Sequence, residues 1–364
     1  MGLEEDTFMK RVRTAVCAVV IIVVWGCSGS EPTPQPEPAP AAAATDVCTP
    51  VGDIQFICDL ISPEDLAVIP DSEWLIASGN QEGGMLHLVN IRDKSTSVLY
   101  PNTELREQLD PIAYPTCPGP MDPAEGAEFR AHGLYLKPGD AGIHAVYLVH
   151  HGLRESVEVF EVDATASPPV MTWVGCTVAP EALTFNSVVA LPDGGIGVTS
   201  FRTAGLTESF DEILEGKPSG SVWEWHADGG WTEVPESLEG GPNGLEISAD
   251  GEWFYISGWG SQRFVKLSRN RIPIEKETVD LHFRPDNIRL QVDGSVFAAG
   301  ADRFDTPEET LHVARIDPTT MTFDRLLDHP VIENFAACTT ATQIGDEIWM
   351  GTNRGAMIGY FPAR

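Results

Sequence analysis

Two carboxylates and three side-chain amides stand at the starts of otherwise apolar stretches: Glu64, Asn186, Asn243, Asp286 and the adjacent Asn287. All five offer oxygen and none offers sulfur, which is the donor set a hard divalent cation prefers. Calcium accepts amide oxygens and a loose geometry more readily than magnesium does. Taken singly, an Asn or Asp in such a place usually satisfies the backbone of a turn. These five differ because they recur at equivalent places in a repeat. His132 begins another copy of that repeat, and His150 lies in the His–His–Gly run that closes the same copy. A neutral histidine beside a bound cation can take a proton from water; the bland alternative is a buried, hydrogen-bonded ring. His144, within the same copy, has no comparable reason to be singled out and reads as structural or surface.

The repeat itself is a hairpin. In GGPNGLEISADGEWFYISG, residues 240–258, Leu245 and Ile247 alternate along a first strand, Asp250–Gly251 makes a turn, and Trp253–Ile256 form a second strand. EDLAVIPDSEWLIASG at Glu64, the hairpin from His132 to Gly152, NSVVALPDGGIGVTS at Asn186, DNIRLQVDGSVFAAG at Asp286 and a weaker stretch at Cys338 repeat it. The six copies lie 43 to 68 residues apart. That period suits a radial array of four-stranded blades. The expected fold is all-β: a six-bladed β-propeller with four-stranded blades and a central calcium site. The innermost strand of each blade would line the channel, placing Glu64, His132, Asn186, Asn243, Asp286 and Cys338 on one ring.

Composition narrows the partners. At 364 residues the chain can bury one large core, and its 54 acidic against 23 basic residues give a formal charge of −31. Such a surface argues against nucleic acid and against an anionic bilayer, and favours solubility and the attraction of cations. The expected partner is a small molecule; the oligomeric state is not legible.

The N-terminus reads as an export signal. Lys10, Arg11 and Arg13 precede the apolar run AVCAVVIIVVWG, which is too short to favour spanning a bilayer and ends at Cys27. VWGC resembles the lipobox of bacterial lipoproteins, with Trp25 an awkward fit, and Ser28 after the cysteine favours the outer membrane by the same resemblance. A single-span anchor with a chance cysteine is the alternative. Residues 1–27 are thus expected to be a signal peptide and 28–46, rich in Pro and Ala, a disordered tether. The propeller occupies 47–364, and membrane contact is expected only through a lipid on Cys27. An exported chain permits disulfides. Cys48, Cys58, Cys117, Cys176 and Cys338 are odd in number, so at least one thiol stays free unless it bonds intermolecularly; Cys48–Cys58 is one pairing among several.

SPEDLAVIPDSEWLIASG, RAHGLYL, AVYLVHHGLRESVEVFEVD, NSVVALPDG, GPNGLEISADGEWFYI and DNIRLQVDG together resemble the calcium-dependent serum paraoxonase/arylesterase family. That family sits within the broader group of gluconolactonase, senescence-marker-protein and strictosidine-synthase propellers. The resemblance runs from about residue 58 to about residue 361. It implies a catalytic calcium held by Glu64, Asn186, Asn243, Asp286 and Asn287, with His132 as general base and His150 assisting it. The implied activity is hydrolysis of lactones, aryl esters and sometimes phosphotriesters. The family's second, structural calcium uses an aspartate that is kept as Asp65, but the matching aspartate is Ser187 here. Pocket positions differ at Asn80, Ser200–Phe201 and Asp302. The terminal cysteine that staples first to last blade is missing after Met357, so closure falls to strand pairing or to a different disulfide. A gluconolactonase-type sugar lactonase and a noncatalytic envelope propeller that presents loops to a partner are the competing readings.

Overall fold

Each repeat supplies an inner strand with alternating apolar positions and a second strand that is mostly apolar, such as WLIASG (Trp74–Gly79) or WFYISG (Trp253–Gly258), because that strand is covered on both faces. The computed structural model describes residues 48–102, 106–122, 128–207 and 209–363. The expected signal peptide, Cys27 and the tether lie outside these residues. Among those described, 24 strands, numbered β1 to β24 along the chain, form six antiparallel four-stranded sheets. This is the six-bladed propeller that the repeat implied.

Five blades are sequential: β2 to β5, β6 to β9, β10 to β13, β14 to β17 and β18 to β21. The sixth joins β22, β23 and β24 to β1 (Gln55–Ile57), which pairs antiparallel with β24 (Ile358–Pro362). The ring is therefore closed by strand pairing between β1 and β24. Cys48 and Cys58 are bridged, and Cys117–Cys176 ties the segment after the first blade to β9 (Val170–Val178). Among the described residues, Cys338 is the free, buried thiol. Six apolar clusters hold the blades together, one at each blade–blade contact. Trp253–Ile256 contribute to two of these clusters, as blade core should.

The inner strands share one irregularity. They are β2 (Pro63–Val68), β6 (Arg130–Lys137), β10 (Leu183–Ala190), β14 (Pro242–Ile247), β18 (Arg284–Leu290) and β22 (Phe335–Ile344). In the first five the register against the neighbouring strand skips two residues: Glu64–Asp65, His132–Gly133, Asn186–Ser187, Asn243–Gly244 and Asp286–Asn287. In β22 it skips Thr339. Bulges of this kind re-aim side chains. They also bring adjacent inner strands so close that a Cβ on Gly133 would sit 2.4 Å from the Asn186 carbonyl oxygen, and one on Gly244 would sit 2.5 Å from the Ile288 nitrogen.

A bulge frees backbone groups that must find partners. Hydroxyls on the second strands supply them. Ser78 accepts from Asp65 N–H, Thr199 from Ser187 N–H, and Ser257 from Gly244 N–H. Thr199 then donates to the Asn243 carbonyl and Ser257 to the Asp286 carbonyl, each on the next blade, at 2.5 Å. Ser257→Ala should leave a buried N–H and a buried carbonyl unsatisfied, at a cost of about 1–3 kcal/mol. Urea unfolding that matches the wild type would contradict this bridging role.

Candidate active site

At one end of the channel the bulged residues open into a cavity of about 530 Å³ whose lining includes His132, Asn186, Asn243, Asp286 and Cys338. Glu64 is fully buried beneath them; its Oε1 accepts from Asn287 Nδ2 at 2.6 Å and its Oε2 has no partner. Asn243 directs its amide N–H toward the Asp286 carboxylate. The Oδ1 atoms of Asn186, Asn243 and Asn287 are buried without a hydrogen bond. Four orphaned oxygens from four inner strands, beside the Asp286 carboxylate, are costly unless something satisfies them. Among the described residues no group of three or more His, Cys, Asp or Glu side chains could hold a metal ion. The donor set here is instead two carboxylates and three amides, which fits an oxygen-seeking cation. Burial, with Asp65 and Asp286 nearby, raises the Glu64 pKa well above the usual range, and burial pushes Asp286 up to about 7. Loss of water, more than repulsion between the carboxylates, is the largest cause of both shifts.

His132 stands at the edge of this set, its Nε2 3.8 Å from Glu64 Oε1. Burial first, then His151 and Arg130, lower its pKa well below that of free imidazole, so the ring is neutral at physiological pH. Its Nδ1 lies 2.8 Å from Nε2 of His151, not of His150. Alternation along β7 (Ile143–His151) explains the difference. His150 follows Val146 and Leu148 into the core between the first two blades, packs on Phe129, and holds the Arg154 carbonyl through Nδ1. His151 follows Tyr147 and Val149 toward the third blade and lines the cavity. The assisting place expected for His150 is thus occupied by its neighbour. Two adjacent histidines on a strand must face opposite ways, and only the Val–Leu and Tyr–Val phases told which faced inward.

The family's second, structural ion, which Ser187 already placed in doubt, meets a different arrangement at Asp65. Arg289, from β18, donates through Nη2 to Asp65 Oδ2 and to the Leu134 carbonyl, through Nε to the Leu66 carbonyl, and through Nη1 to the Ile288 carbonyl. Nη1 also lies 3.6 Å from Glu246 Oε1. Asp65 accepts from Leu134 N–H as well. The guanidinium takes the place of a structural cation, and the residues do not fit a second one.

The mouth is asymmetric. Phe201, Phe210, Trp259 and Phe304 meet with ring centroids 5.3 to 5.9 Å apart, with Arg284 over Trp259 and Arg354 over Phe304. Phe210 comes from α1 (Phe210–Leu214). The same cavity also has polar lining: Arg130 donates to Asn80 Oδ1, and Asp302 is among the lining residues.

Fold and site together define a six-bladed propeller with a polar channel ring under an aromatic mouth. No protein-family model matches the chain, and no curated protein matches it in sequence. Solved structures share its architecture. A luciferin-regenerating enzyme superposes with a TM-score of 0.54 at 12% identity, over 85% of this chain and 95% of that one. A candidate gluconolactonase gives 0.51 at 16%, over 87% and 94%. Regucalcin of Agrobacterium tumefaciens, a calcium-binding protein, gives 0.50 at 13%, over 84% and 92%. At these identities the likeness establishes the fold.

Arg289→Met should cost about 3–5 kcal/mol, because it strands Asp65 as a buried, unpaired carboxylate. The double variant Asp65→Asn/Arg289→Met should recover much of that loss. Denaturant midpoints decide the matter: a single variant as stable as the wild type would show that the ion pair does not hold the channel.

Proposed function

We propose that this chain is a calcium-dependent hydrolase of lactones and aryl esters. The observation that carries the reading is the meeting, in one cavity, of unpartnered buried oxygens and a neutral histidine whose Nε2 faces them. Glu64, Asn186, Asn243, Asp286 and Asn287 would hold the ion. When bound, calcium supplies polarisation of the ester carbonyl and stabilisation of the developing oxyanion. The raised pKa values of Glu64 and Asp286 support it, since a divalent cation offsets charge that burial disfavours.

His132 supplies the proton chemistry. A neutral ring takes a proton from water on Nε2 while the water oxygen bonds to the acyl carbon. The ester C–O bond then breaks, and the leaving oxygen takes that proton back. His151, hydrogen-bonded to Nδ1, holds the ring in orientation. The aromatic wall excludes water and accommodates an aryl or alkyl arm. A polyhydroxylated sugar lactone would want hydrogen-bonding partners where these four rings stand, which favours the arylesterase/lactonase reading over the sugar-lactonase one. The lipobox-like end at Cys27 and the tether at 28–46 support an exported lipoprotein that holds the propeller at a bacterial outer membrane.

A panel of a lactone, an aryl ester and a phosphotriester, assayed with and without chelator, tests the reading. Hydrolysis of the first two should fall at least ~10²-fold on chelation and return with added calcium; indifference to chelator would defeat the ion's role. His132→Gln should lower kcat/KM by at least ~10²-fold while calcium affinity is kept. An unchanged kcat/KM would remove His132 as the base.

A further inference from the structure

His132 can serve as a base toward the ring only if its Nε2 is bare, and a neutral imidazole carries its one proton on one nitrogen or the other. Three linked groups decide which. Glu155, just beyond β7, accepts the Phe185 backbone N–H on Oε1 at 2.6 Å, and its Oε2 lies 2.7 Å from His151 Nδ1. A carboxylate can only accept, so Nδ1 of His151 carries a proton. In the neutral ring Nε2 is then an acceptor, and the atom facing it at 2.8 Å, Nδ1 of His132, must donate. That leaves Nε2 of His132 without a proton, on the side of Glu64. With both rings neutral, reversing the His132 ring alone would set two lone pairs against each other.

We infer that Glu155 is a positioning residue of this site: through His151 it fixes the tautomer of His132 and presents a bare Nε2 to the channel ring. The kinetic consequence rests on the hydrolase reading above; the tautomer assignment does not. Glu155 touches neither the ring oxygens nor the reacting atoms, and acts through two imidazoles. When Nε2 gains a proton, the positive charge is shared along the His132–His151 hydrogen bond. The Glu155 carboxylate at the far end offsets it, as a buried acid does for a catalytic histidine. The anchor also joins two blades. Phe185 directly precedes Asn186, so one side chain couples the histidine pair of the second blade to the ring of the third.

Long-range nitrogen-15 NMR of the imidazoles reads the tautomers directly. At about pH 8.5, above the ordinary imidazole range, the wild type should show both His132 and His151 protonated at Nδ1. In Glu155→Gln the amide oxygen can keep the Phe185 N–H while its NH2 group turns to His151. The chain then inverts, and the His132 proton moves to Nε2. kcat for the panel esters should fall ~10²-fold or more with KM within about threefold, and Glu155→Asp should recover part of the loss. A wild-type His132 protonated at Nε2, or an Nδ1 tautomer that survives Glu155→Gln, would overturn the inference. A tautomer switch in a protein that turns over no ester or lactone would uphold the relay and sink the hydrolase reading. Hydrolysis with the tautomers unmoved would do the reverse.

Discussion

Carboxylate charge, gathered where water is scarce, is the constraint on which this channel depends. Glu64, Asp65, Glu246 and Asp286 come from three adjacent or facing inner strands and are all buried. Carboxylates so placed must be paired, protonated or bound to a cation. The molecule answers twice. On one level the Arg289 guanidinium reaches Asp65 and the carbonyls of two other blades, so that a covalent part of the chain does what an ion would otherwise do. On the other level Glu64 and Asp286 have amide neighbours but, among the described residues, no guanidinium within hydrogen-bond distance, and four oxygens are left open. A channel that neutralised both levels internally would be more stable and would have no site.

The bulges make this division geometric. Each lifts a pair of residues out of the strand ladder and so frees the ring residue from the plain alternation of the strand. Thr199 and Ser257 repair the ladder and reach across to the carbonyls behind the next ring residue. The position of Asn243 is therefore set partly by Thr199 of the preceding blade, and that of Asp286 by Ser257. Ring geometry is a property of neighbouring blades together, which suits a site assembled from residues more than 200 positions apart.

Much of this was legible in the sequence, because period and alternation are local signals. The six hairpins, the Asp250–Gly251 turn with Gly251 at a φ of +73°, the ring positions and the apolar second strands all follow from them. What stayed hidden depended on three-dimensional register. A basic residue at Arg289 on an inner strand was visible, but nothing local said that it would meet Asp65, 224 positions away. The Glu155–His151–His132 relay depends on both the bulge at His132 and the phase of β7, neither of which distinguishes His151 from His150 in the sequence. The aromatic mouth comes from a strand end, a short helix and two loops on three blades, whose convergence no repeat encodes.

We propose that the channel carries one open cation site and that the chain itself fills the other with Arg289. Calorimetric titration of calcium into metal-free protein tests it most directly. One ion per chain is the predicted stoichiometry, with the binding heat lost in Asn243→Ala and retained in His132→Gln. No binding would contradict the ring as a calcium centre, and two ions per chain would contradict the role assigned to Arg289.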